Sequence, residues 1–281
     1  MTLCSSTYQG MVVPRLEVLI STIGRAGIER VAGMRLPSVD GVGYLVSWQG
    51  SVGDVPAELA RPDVRIVTTQ SKGLSNNRND AFVASVAPLL LIADDDLRYT
   101  ESGLRTVIDT MDEHKEVDLA AFMHCGGGGK AFPDSEFDLR SPASGYYVTS
   151  FEIAVRRHVV VGERGVGFDP RFGIGAPLFG AGEEQFFVDD VIAQGFTCRY
   201  FPRLIVEHPG VSTGERYLSP GVLMAQGIYL RTRFGWPEAL IRIPLIAWRH
   251  YRAHRYTLFP SMWYLAKGWN IGRPPRFKDC K

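Results

Sequence analysis

Leu89–Ala93 reads LLLIA and runs directly into Asp94, Asp95 and Asp96. A continuously apolar run this short suits a strand covered on both faces, as in the centre of a parallel sheet. The acids at its carboxyl end stand where open α/β sheets bind their ligands. The flanking pattern agrees. Residues 16–21 (LEVLIS), 42–47 (VGYLVS), 64–68 (VRIVT) and 118–123 read as further strands. Residues 26–36, 75–86 and 101–114 read as helices between them, with Ser75 as an N-cap and Pro88 marking the end of the second. This alternation predicts an α/β fold with a doubly wound sheet. With 45% hydrophobic residues among 281, the chain can bury a large core and does not read as disordered.

After Cys125 the rhythm breaks. Residues 125–147 are rich in Gly, Pro and Ser and read as a mobile loop. Residues 153–157 read as a strand, Glu183–Ala193 as a helix ending at Gly195, and 197–201 and 204–207 as two separate strands. From Ser219 onward the pattern is helical and basic. The expected division is a catalytic region over 14–215 and a helical extension over 216–281. Cys125-Gly-Gly-Gly-Gly-Lys130 lacks the spacing of a phosphate-binding loop, and no serine nucleophile elbow is present. Cys4, Cys125, Cys198 and Cys280 show no metal or disulfide spacing, which fits a reducing cytosol. No signal peptide and no membrane-spanning run is expected.

Three adjacent carboxylates repel one another, and the commonest remedy is a divalent cation such as Mg2+ or Mn2+, which can also hold a diphosphate. The alternative is a turn of helix-capping acids. A second acidic group, Glu183 and Glu184, opens a predicted helix. Its place in the first turn is favoured by the helix dipole even without a chemical role. His208 follows the apolar stretch LIVE and is a structural residue or a ligand.

The runs LISTIGR (19–25), GLSNNRN (73–79), LLLIADDD (89–96) and Gly182-Glu183-Glu184-Gln185-Phe186-Phe187 together resemble bacterial glycosyltransferase family two. The resemblance implies a GT-A fold, a Rossmann-like mixed sheet flanked by helices, with a C-terminal helical extension. It implies transfer of a sugar from a nucleoside diphosphate sugar, UDP-sugar favoured, to a glycan or glycolipid acceptor. That activity would be metal-dependent, inverting, and serve bacterial surface polysaccharide synthesis. By the same resemblance Thr22 and Arg25 lie near the base, Arg78 and Asn79 near the donor, and Asp94 and Asp95 near ribose and sugar. Lys72 is a further donor-pocket candidate. Asp96 reaches the metal, and His208 completes the metal or phosphate site. The family's general base falls on Glu184, which keeps the carboxylate and adds one methylene; Glu183 is the second candidate. Two other readings stand beside this one: a nucleotidyltransferase, and a non-catalytic glycan-binding scaffold.

A formal charge of +1 hides an asymmetry, because residues 231–281 hold 11 Lys/Arg against 2 Asp/Glu. Leu245, Trp248 and Tyr251 recur beside Arg249, Arg252 and Arg255, a pattern that fits an anionic membrane interface or packing onto the catalytic region. The acidic remainder argues against nucleic acid. The expected location is the cytoplasm, peripheral on the inner face of the plasma membrane.

Overall fold

The structure is a computed structural model and describes residues 13–127, 130–210 and 218–275. Cys4, Cys280 and the last basic residues of the tail, from Arg276, lie outside the described residues. Two compact units emerge: one of 13–72, 76–167 and 187–210, the other of 73–75, 168–186 and the described part of 211–281.

The first unit is built on a mixed sheet in the order β3-β2-β1-β4-β8-β6-β9-β5, where β5 is the short strand Arg98–Tyr99, with β7 pairing β9. Strands β1 (Leu16–Ile23), β2 (Val42–Gln49), β3 (Val64–Thr69) and β4 (Leu89–Ala93) are mutually parallel and almost wholly buried on the apolar side, as their composition requires. Helix α1 (Gly24–Gly33) follows β1 and α2 (Leu74–Ala84) precedes β4, while α3 (Glu101–Glu113) and the short α4 (Arg157–Val160) come later in the chain. Thr100 caps α3, its hydroxyl accepting from the Gly103 amide at 3.0 Å. β8 (Ile153–Arg156) runs antiparallel between β4 and β6 (Leu119–Gly126), so the sheet is mixed rather than uniformly parallel.

Three local expectations are corrected. Residues 197–201 and 204–207 are not two strands but one, β9 (Cys198–His208), parallel to β6. The ladder crosses Pro202 through register shifts at Met123, the device by which a strand accommodates a residue that cannot donate. Ser75 is not an N-cap: α2 already includes Leu74, and the buried Ser75 hydroxyl donates to the Phe172 carbonyl at 2.7 Å. The stretch 125–147 is not simply a mobile loop. It contains β7 (Phe137–Asp138), paired with β9, and a side chain, Lys130, only 4% exposed.

A buried ion pair closes the far end of the sheet. Glu17, fully buried in β1, meets Arg65 at 3.3 Å and accepts from the Val86 amide at 2.8 Å. An apolar side chain at position 17 would leave those donors without their acceptor, which explains a carboxylate in the middle of an apolar strand.

In the second unit, α6 (Pro220–Arg233), α7 (Trp236–Arg252) and α8 (Leu258–Ile271) form a helical group. Gly227 and Gly268 let α6 and α8 touch backbone to backbone: a Cβ at either would lie 2.1 Å from the Leu265 carbonyl oxygen or 2.0 Å from that of Met224. Phe172, Phe179 and Phe186 make the unit's aromatic core with Ala225 and Ile228. No helix among the described residues is long and apolar enough to cross a membrane.

Candidate functional site

The acidic triplet emerges where β4 ends. Because Ile20 pairs Ala93 in the parallel β1–β4 register, the next steps bring Thr22 level with Asp95. The buried Thr22 hydroxyl donates to Asp95 Oδ2 at 2.6 Å. Arg30, from α1, grips the same carboxylate with two bonds, Nε to Oδ1 at 2.9 Å and Nη2 to Oδ2 at 2.7 Å. Gly27, one turn before Arg30 on the same helix, leaves the room: a Cβ there would lie 2.2 Å from Thr22 Oγ1 and 3.3 Å from Asp95 Oδ2. Gly27→Ala is expected to cost about 1–3 kcal/mol, the usual penalty for overfilling a packed site. Thermal unfolding of the variant checks it, and an unchanged midpoint would disprove the contact.

Asp94 accepts from Arg78 Nη2 at 2.8 Å, and the same nitrogen donates to Ser150 Oγ at 2.6 Å. Arg78 is 2% exposed, so its charge sits inside the protein against these oxygens. The mutual repulsion of the triplet is thus relieved in large part by Arg30 and Arg78, not left wholly to a metal ion as the sequence alone suggests. Asp96 differs. It is half-exposed and faces His208 Nε2 at 3.6 Å. Contact with Asp96 raises the His208 pKa against the opposing effect of burial, and the imidazole holds the Asp96 carboxyl below its ordinary range. His208 lies flat on Phe151, with ring centroids 5.3 Å apart. Among the described residues no group of three or more His, Cys, Asp or Glu side chains forms a ready metal cage.

The remaining candidates of the first unit divide. Asn77 ties α2 to the end of β1, its Nδ2 donating to the Thr22 carbonyl at 3.0 Å. Asn79 is half-buried beside Gly167, where a Cβ would lie 2.9 Å from Asn79 Oδ1. Lys72 is exposed, and its carbonyl accepts from Asn76 Nδ2 at 2.8 Å. Arg25 is also exposed; it pairs Glu29 at 2.8 Å and donates to the Asp54 carbonyl at 2.7 Å, while Arg30 takes the acids.

Arg30 and Ser150 were missed from sequence. Helical spacing from Gly27 is the only hint for Arg30. Nothing local marks Ser150, which lies 72 positions from Arg78.

Ser150, Phe151 and Glu152 form one short 3-10 turn in which each residue supports a different group. Ser150 holds Arg78 and Phe151 backs His208. Glu152, fully buried, takes bonds from Lys130 Nζ at 2.6 and 2.7 Å, from the Thr149 amide at 3.0 Å, and shares one with His124 Nδ1 at 2.8 Å. Lys130 is enclosed by the rings of Phe132, Tyr146 and Tyr147, its ammonium 4.7, 5.0 and 4.5 Å from their centroids.

In the second unit, Gly182 adopts a left-handed φ of +90° and starts α5 (Glu183–Ala193) within residues 183–186 of that unit. Glu183 is only 4% exposed and lies against Gly173, where an added Cβ would come 3.0 Å from the Glu183 carboxyl carbon. Glu184, the next residue, is half-buried. Both carboxylates stand in the first helical turn, where the dipole favours their charged form.

Residues 54–164 match the profile described as Glycosyl transferase family 2. That span holds Arg78, the acidic triplet and the Ser150–Glu152 turn. No curated protein matches the chain by sequence. Among solved structures, S. aureus TarS residues 1–349 in complex with UDP-GlcNAc aligns with a TM-score of 0.56 and 13% identity over 76% of this chain and 64% of that one. The same S. aureus TarS segment in complex with UDP aligns with a TM-score of 0.54 and 12% identity over 93% of each chain. A mycobacterial protein aligns at 0.51 with 13% identity over 75% of this chain and 74% of that one. The chain spans 63% and 64% of the length of the first two TarS chains it matches. Over residues 54–164 the chain matches the glycosyl transferase family 2 profile, and it carries the GT-A fold of the structures it aligns with.

Proposed function

We propose that the protein transfers a sugar from a nucleoside diphosphate sugar, a UDP-sugar in the first instance, to a hydroxyl of a glycan or lipid-linked acceptor, with inversion at C1. Residues 14–215 are the catalytic region in this reading and 216–281 its extension. The observation that carries it is the paired set at the end of β4, two carboxylates held by Arg30 and Arg78 beside a half-exposed third, within a family-matched segment. The solved complexes of S. aureus TarS with UDP and UDP-GlcNAc support the choice of donor.

Asp94 and Asp95, fixed in orientation by their arginines, present acceptor oxygens to ribose and sugar hydroxyls. Thr22 and Arg25 lie on the base side; Lys72 and Asn79 serve the donor phosphates and sugar, and buried Arg78 serves them by holding Asp94. Glu184 takes the proton of the acceptor hydroxyl as its oxygen bonds to C1. The bond from C1 to the diphosphate breaks with its electron pair, and the nucleoside diphosphate leaves. Asp96 and His208 would hold Mn2+ or Mg2+ through one hard oxygen and one imidazole nitrogen. Such an ion would supply charge stabilisation to the departing diphosphate. The role in bacterial surface polysaccharide synthesis belongs to the same proposal.

Thermal shift with UDP, GDP and dTDP, each with and without Mn2+, tests the reading. Stabilisation by one nucleotide that grows with metal is expected, and Asp96→Asn should abolish the metal-dependent part. Indifference to all three nucleotides would reject the donor site. Turnover without an acceptor that joins a nucleotide to a sugar phosphate would favour a nucleotidyltransferase.

A further inference from the structure

Helix α7 has more apolar surface than its own packing uses. At about 3.6 residues per turn its circumference divides into three sectors. Ala239, Ile243, Ile246 and Ala247 fill one, buried or half-buried against α6 and α8. Leu240, Ile241, Leu245, Trp248 and Tyr251 fill a second, and they are 68%, 71%, 41%, 49% and 54% exposed. Arg242 and Arg249 lie on the third, and Arg252 ends the second, one turn beyond Trp248. A soluble helix that packs on one side ordinarily needs a single apolar stripe. Here the second stripe is as wide as the first.

Helix α8 repeats the composition. Phe259 and Trp263 are 78% and 57% exposed one turn apart, and Lys267 follows at the next turn. The cations lie beside the exposed indoles: Arg252 is 5.3 Å from the Trp248 ring and Lys267 4.9 Å from that of Trp263. Across both helices Glu238 is the one acidic residue, and it is engaged at the start of α7 by the Gly235 amide at 2.8 Å.

We propose that the exposed faces of α7 and α8 form a docking surface for an anionic phospholipid membrane, with the helices lying in the interface and the aromatic and aliphatic side chains entering the acyl boundary. Charge selects this occupant. A second copy of the chain would set arginine against arginine. Nucleic acid would meet the cations, but Leu240, Ile241 and Leu245 offer hydrocarbon where bases need rings to stack on. An anionic bilayer satisfies both halves of the surface, phosphate for Arg and Lys, hydrocarbon for Leu and Ile, and headgroup depth for Trp and Tyr.

The full-length chain sedimented with vesicles tests this. It should pellet with equimolar phosphatidylglycerol and phosphatidylcholine, less so at high salt, and weakly with phosphatidylcholine alone. The double variants Leu240→Ser with Trp248→Ser, and Arg249→Gln with Arg252→Gln, should each lower partitioning by roughly tenfold or more. Their melting temperatures should match the unaltered protein, because all four side chains are exposed. Absence of sedimentation with the anionic vesicles overturns the proposal. So does self-association, or oligonucleotide binding, that the same substitutions remove while vesicle binding stays unmeasurable.

Discussion

Glu184→Gln is expected to lower the transfer rate by about 10²–10⁴, the range that a positioned general base contributes. Glutamine keeps the size and the hydrogen-bonding oxygen of the side chain but cannot take the acceptor's proton. The effect should fall on kcat, with the donor KM little changed, since the loss occurs in the transition state and not in donor binding. Glu184 is preferred over its neighbour on accessibility. Glu183 is 4% exposed and packed against Gly173, a place suited to fixing the start of α5. Glu184 is half-buried, which leaves it open to an acceptor. Glu183→Gln should therefore reduce stability more than rate. Steady-state kinetics and melting curves on the two variants separate the roles. Full activity in Glu184→Gln, or a rate lost only in Glu183→Gln, would move the base assignment to Glu183 or away from this helix.

The architecture was legible wherever apolar runs were long enough to exclude a half-exposed position. LLLIA could only be a covered strand, and Leu89–Ala93 is that strand to the residue. Glu183–Ala193 was equally plain, framed by Gly182 and Gly195. The misreadings share a cause, namely partners distant in sequence. Pro202 broke a strand on paper, whereas in the sheet β6 shifts register beside it. Composition made 125–147 a mobile loop, yet Lys130 is held by Glu152, 22 positions on. For the acids, sequence identified the triplet but not its neutralisation. Arg30 lies 65 positions from Asp95, and only the β1–β4 register and the missing side chain at Gly27 bring the two together.

Glu152 concentrates this long-range dependence, so its removal should be costly. Glu152→Ala takes away the carboxylate that receives two bonds from Lys130 in a setting where the acid is fully buried and the Lys130 side chain is 4% exposed. Breaking one side of a buried pair typically costs 3–5 kcal/mol, here roughly 10 °C in melting temperature. Glu152→Gln should lose less, because an amide oxygen can still accept from the Thr149 amide. A second effect distinguishes support of the site from simple stability. Ser150 and Phe151 share the turn with Glu152 and position Arg78 and His208. Glu152→Gln, assayed well below its melting temperature, should bind UDP more weakly, and adding Lys130→Met should restore stability more than it restores binding, since it removes the stranded charge without rebuilding the turn's anchor. A melting temperature for Glu152→Ala within a degree or two of the unaltered protein would remove the ion pair from the account of stability. UDP affinity unchanged in Glu152→Gln would show that the turn holds Arg78 and His208 without its anchor.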